Sequence, residues 1–132
     1  MCIRDRPNST GQPATLAYTG TLSVSANDLV LEASPVPAQP GIFFLGPNQI
    51  QIPFGNGFRC VGGTVYRLPV EVGQGGILSH ALDNTQPLIA GEIVAGATWN
   101  FQAWYRDPLD GGAAFNLSDG ICLLYTSDAA DE

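Results

Sequence analysis

The sequence predicts an all-β fold, an antiparallel β-sandwich of seven or eight short strands, immunoglobulin-like or jelly-roll-like, and three observations carry that expectation. The chain holds 16 glycines and 10 prolines, which punctuate it too often for helices and supply the turns that antiparallel strands need. No window combines a helical apolar period with capping residues. Residues 97–108 alternate instead: Trp99, Phe101, Ala103 and Tyr105 fall on one face of an extended ribbon, and Thr98, Asn100, Gln102 and Arg106 on the other. Both tryptophans of the protein lie in this stretch, so it is the expected central strand, and Pro108 ends its ladder for want of an amide hydrogen.

Taken in order, residues 7–13 are a polar lead-in with turn chemistry. A first strand is expected over residues 14–25, with a bend or bulge at Gly20. Residues 26–28 turn it, and Leu29, Leu31 and Ala33 share one face of a returning strand, so the pair reads as a hairpin. Three prolines, Pro35, Pro37 and Pro40, keep residues 34–41 out of a sheet interior. Residues 41–46 are continuously apolar, the pattern of a strand buried on both faces. Pro47 and Asn48 turn the chain, and Ile50 and Ile52 then alternate with glutamines.

The glycine-rich residues 54–63 read as an irregular segment in which Phe54 and Phe58 plug one end of the sandwich. Over residues 64–72, Tyr66, Leu68, Val70 and Val72 are expected to face the core, and Gly73 to Gly76 to close a hairpin into residues 77–82. Residues 85–96 are a connection and 109–112 a loop; a last strand begins at Ile121.

The two ends read differently. Residues 1–6 and 122–132 resemble translated sequencing-adapter remnants, so the expectation is a single domain over residues 7–121, open at both ends, with its last strand truncated. On that reading a missing signal peptide carries no information.

Composition narrows the function classes. The net charge is −7, from twelve acids against five arginines and no lysine, and residues 7–121 keep eight acids and three arginines. Such a chain cannot neutralise a row of phosphates, which argues against nucleic acid as a partner. No apolar run reaches transmembrane length, which argues against membrane insertion by a helix. With one histidine, no lysine and no metal-ligand cluster, the chain offers little material for catalysis, and neither an enzyme nor a cofactor is expected. His80 reads as a partly buried histidine satisfied by backbone.

Two residue groups remain. Trp104 is either packing on the second face of the central strand or an aromatic platform for sugar rings, with Asn100, Gln102 and Arg106 as donors to hydroxyls. Arg106 is alternatively a partner of Asp119. Asp107 and Asp110 are turn aspartates or, as a weak alternative, a calcium site built with backbone carbonyls. Cys60, the one cysteine inside residues 7–121, is a small buried residue or half of a disulfide whose partner was lost upstream.

Six stretches add a resemblance: residues 8–11 (Asn-Ser-Thr-Gly), 43–47 (Phe-Phe-Leu-Gly-Pro), 53–62 (Pro-Phe-Gly-Asn-Gly-Phe-Arg-Cys-Val-Gly), 67–69 (Arg-Leu-Pro), 99–108 and 115–119 (Phe-Asn-Leu-Ser-Asp). Together they resemble an uncharacterised domain near the C-termini of large secreted proteins of marine bacteria, of planctomycete and myxobacterial type. The resemblance covers nearly all of residues 7–121. It implies a secreted or cell-surface setting, a cysteine upstream of the Asn-Ser-Thr-Gly motif to pair with Cys60, and a further strand after Asp119, but no activity. The expected role is a non-catalytic accessory or interaction domain, touching other domains of its parent protein or a polysaccharide. The alternative is a carbohydrate-binding module centred on Trp104.

Overall fold

The computed structural model describes residues 7–86, 89 and 91–126. Among them run eleven strands: β1 (Thr15–Thr19), β2 (Val30–Ser34), β3 (Pro40–Gly46), β4 (Asn48–Phe54), β5 (Gly57–Gly62), β6 (Tyr66–Arg67), β7 (Glu71–Val72), β8 (Leu78–Ala81), β9 (Thr98–Arg106), β10 (Phe115–Leu117) and β11 (Ile121–Leu124). A 3-10 turn, Pro108–Asp110, follows β9. Every strand pairing is antiparallel. The fold is an all-β sandwich, with more strands than the seven or eight expected because four short ones share edges: β6 and β7 both pair with β3, and β10 and β11 both pair with β9.

One sheet has the order β1-β2-β8, and the other is built on the central pair β3 and β9. Phe43 stands opposite Ala103, Leu45 opposite Phe101 and Gly41 opposite Tyr105. These residues, with Trp99, meet Leu16, Leu31, Ala33 and Leu78 of the first sheet in the main core. The alternation read in residues 97–108 thus buries the face expected of it. Burial of such large side chains contributes roughly 1.5–3 kcal/mol each.

The second face of the central sheet is largely covered. The β4–β5 hairpin lies over it, and Phe44, Val61 and Leu117 form a smaller core there, against which Val65, Trp104 and Phe115 pack. Both faces of β3 are therefore covered, as its continuous apolar run predicts. Glycines permit the close approach. A Cβ on Gly57 would run into the Asn116 side chain, and one on Gly55, which also has φ +57°, into the Phe115 ring.

Several expectations need correction. Residues 54–63 are not irregular: Gly57–Gly62 is β5, paired with β4 across a register shift between Gln49 and Ile52. Phe54 is 40% exposed and plugs nothing. Val70 and Val72 are 67% and 54% exposed, although Leu68 is buried. Tyr66 stands opposite Leu45, on the core face, but five residues on Glu71 stands opposite Gly41, also on that face. Between them Pro69 interrupts the ladder and the in-out parity slips by one residue, which turns both valines outward. The turn at residues 73–76 closes no strand hairpin either, because β7 pairs with β3 and β8 with β2. It carries the chain from one sheet to the other, with only an isolated bridge between Gln74 and Ile77.

The β1–β2 pairing matches its expectation, with Thr15 opposite Ser34 and Thr19 opposite Val30, but the first strand ends at Thr19 rather than running to residue 25, and residues 20–29 rather than 26–28 connect the two strands. The last strand is not truncated at Ile121. Cys122, Leu123 and Leu124 continue β11 opposite Asn100, Trp99 and Thr98, and Leu123 and Tyr125 are buried in the main core. Thr126 then bridges to Ser23. Residues 122–126, set aside on sequence grounds, are thus part of the sheet. Residues 1–6 and 127–132 lie outside the described residues.

Candidate ligand pocket

The side chains of β9 that point away from the main core meet different fates along the strand. Asn100 and Gln102 are buried. The Gln102 amide donates to the carbonyls of Phe58 and Ser118 at 2.8 and 2.7 Å and accepts from the Cys60 amide at 2.8 Å. Asn100 donates to the Gly46 carbonyl and accepts from the Gln49 amide at 3.0 Å. These two residues fasten the β4–β5 hairpin to the central sheet. They are not donors to a sugar, and that expectation is corrected: the hairpin covers the face on which they were expected to be exposed.

Trp104, two residues further on, is only half-buried, because the hairpin does not close over it completely. It lines a cavity of about 440 Å³ together with Ile42, Phe44, Phe54, Arg59, Val65, Arg67 and Phe115. The register builds this wall directly, with Ile42 opposite Trp104 and Arg67 opposite Phe44. Phe115 stands between Trp104 and Phe54, its ring centroid 5.3 Å from that of Trp104 and 5.4 Å from that of Phe54. Offset and edge-on arrangements of this kind hold aromatic rings in place.

The charged groups of the cavity are two guanidiniums. Arg59 is anchored through its Nε–H, which donates to the Val61 carbonyl at 3.0 Å. Arg67 is exposed at the mouth. Arg106 is exposed at the end of β9, opposite Phe115, and is not among the residues lining the cavity. No ion pair joins it to Asp119 among the described residues; Asp119 Oδ1 instead accepts from the Leu16 amide at 2.7 Å. Sequence reasoning found Trp104 and missed Arg59 and Arg67, which belong to other strands: β6 pairing with β3 places Arg67 beside the cavity, and the β4–β5 hairpin folding over the sheet brings Arg59. The signal available for them was their scarcity, as two of three arginines in residues 7–121.

The remaining chemical candidates lie elsewhere. Asp107 is fully buried, its Oδ2 accepting from the Ser9 amide at 2.8 Å and its Oδ1 without a partner among the described residues. Asp110 is exposed in the following 3-10 turn. The two carboxylates do not form a metal site: no group of three or more histidine, cysteine or acidic side chains able to hold a metal occurs among the described residues. His80 is held by a carboxylate rather than by backbone, its Nδ1 lying 2.6 Å from Glu71 Oε2. Cys60 is disulfide-bonded and Cys122 is a free cysteine. This corrects the expectation that the Cys60 partner was lost upstream: the bond is made within the chain, and its other half lies outside the described residues.

Scanning the chain against protein-family models, the curated proteins and the solved structures found no match in any of the three.

Proposed function

We propose that the chain is a non-catalytic binding domain of a secreted or cell-surface bacterial protein, and that its ligand site is the Trp104 cavity. The observation that carries the reading is the half-buried tryptophan in a walled cavity. Trp104 and its ring partners Phe115 and Phe54 share that wall with two guanidiniums. Apolar walls with a few convergent polar groups are the usual make-up of a ligand pocket. The apolar face of a sugar ring stacks on such aromatics while guanidinium N–H groups donate to its hydroxyls, so a carbohydrate suits this site better than a purely apolar ligand does.

A binding rather than a catalytic role is supported by the lining. Its eight residues include no carboxylate, histidine, hydroxyl or thiol to act as base or nucleophile. The extracellular setting is supported by the sequence resemblance described above.

Intrinsic tryptophan fluorescence during titration with soluble polysaccharides tests the site. The other tryptophan, Trp99, lies in the main core. A saturable change is expected, with the affinity falling about tenfold or more in Trp104→Ala while the far-ultraviolet circular dichroism is unchanged. No response across neutral and charged polymers, or a response that survives in Trp104→Ala, overturns the reading.

A further inference from the structure

We infer that the ligand of this cavity is anionic: a polysaccharide carrying carboxylates on its rings, bound by Arg59 and Arg67. The inference rests on the cavity being the ligand site and adds its chemical class. The chain has twelve acids and five arginines, so an arginine near the surface has many acids available to neutralise it. Yet neither Arg59 nor Arg67 pairs with one among the described residues, where the ion pair present is that of His80 with Glu71. Both side chains line the same cavity, and none of the eight lining residues is acidic.

The geometry fits a planar anion. Arg59 donates through Nε to the Val61 carbonyl of its own strand, which fixes the side chain and leaves its terminal N–H groups for a ligand. A guanidinium matches a carboxylate through two parallel hydrogen bonds, and such charge-assisted bonds are stronger than those to neutral hydroxyls. The aromatic wall of Trp104, Phe115 and Phe54 supplies the stacking surface for the ring that bears the carboxylate. A uronate ring presents both features at once, an apolar C–H face and a carboxylate at its edge. The chain's overall negative charge opposes a polyanion only at long range, and at about 0.1 M salt it is screened beyond roughly 10 Å, so local pairing decides.

The test uses the full chain and two forms of one polymer: polygalacturonate and the same polymer fully methyl-esterified, with a sulfated galactan as a third ligand, each titrated by calorimetry. Polygalacturonate is expected to bind about tenfold more tightly than its ester. The double variant Arg59→Gln, Arg67→Gln is expected to remove that difference, so that both forms bind equally and no more tightly than the unaltered chain binds the ester. Equal affinity for the two forms, unaffected by the arginine exchange but lost in Trp104→Ala, overturns the anionic inference and leaves the cavity as a neutral-sugar site. Preference for the sulfated galactan over polygalacturonate overturns the carboxylate assignment. Tight polygalacturonate binding that persists in Trp104→Ala overturns the cavity itself, and binding of none of the three polymers overturns the inference with it.

Discussion

Gln102 and Tyr125 mark two outcomes of burying a polar group. Both are buried, but the Gln102 amide makes three hydrogen bonds and the Tyr125 hydroxyl makes none. A satisfied group fastens the structure, while an orphaned one costs about 1–3 kcal/mol. Burial likewise pushes the Tyr125 phenol well above its ordinary value, because the charged form has lost its water. Gln102→Leu is expected to destabilise the fold by about 3 kcal/mol, since it removes all three of these hydrogen bonds. Tyr125→Phe is expected to be neutral or stabilising by about 1 kcal/mol. Urea denaturation of the two variants checks the contrast. The sequence displayed the alternation that puts Gln102 opposite Phe101 on β9. It did not display the three backbone partners, which lie 16 to 44 positions away.

At the scale of elements, the turns between strands are held by carboxylates at the surface. Asp83 Oδ1 accepts from the Thr85 hydroxyl and amide and from the Asn27 side chain, which ties the turn after β8 to the turn before β2. Asn27 sits there at φ +51°, a conformation that asparagine tolerates better than most residues. Chiefly the Thr85 hydroxyl, and after it Asn27, hold the Asp83 carboxyl below its ordinary value of 3.8. Asp28 is lowered in the same way by Thr21. A carboxyl whose pKa falls on folding stabilises the fold at pH values above its unfolded pKa. That contribution is lost as the pH drops below 3.8 towards the folded value. Thermal melts from neutral to acidic pH should therefore show a falling midpoint in the acid limb. Asp83→Asn should start lower at neutral pH and fall less steeply. An unchanged acid limb in that variant would show that this turn is not where the acid sensitivity resides. Of these elements, the β1–β2 pairing was legible because its alternation is local, although the connection between the two strands is longer than the turn expected. The β7–β8 connection was not, because a glycine-rich turn looks the same whether it joins two strands of one sheet or crosses between two sheets.

For the whole molecule, the sandwich depends on both edges of the central pair being covered. β11 and β10 divide the free side of β9 between them, and Leu123 reaches the main core. Leu123→Ala is expected to lower stability by about 2–4 kcal/mol, and ending the chain at Ile121 to expose the β9 ladder and promote aggregation. Guanidinium unfolding and light scattering measure the two effects. If neither variant differs from the full chain, residues 122–126 contribute nothing to the fold. The sequence alone determined the all-β class, the central place of β9 and the face of it that carries Trp99, Phe101, Ala103 and Tyr105, since alternation and turn residues are written within a few positions of one another. Only the tertiary structure decided what covers the other face. There the β4–β5 hairpin buries Asn100 and Gln102, leaves Trp104 at a cavity and brings Arg59 beside it, while β6 pairing with β3 places Arg67 there. A period of two announces that a strand has two faces, but which distant segment lies on each is fixed by contacts between residues far apart in the chain.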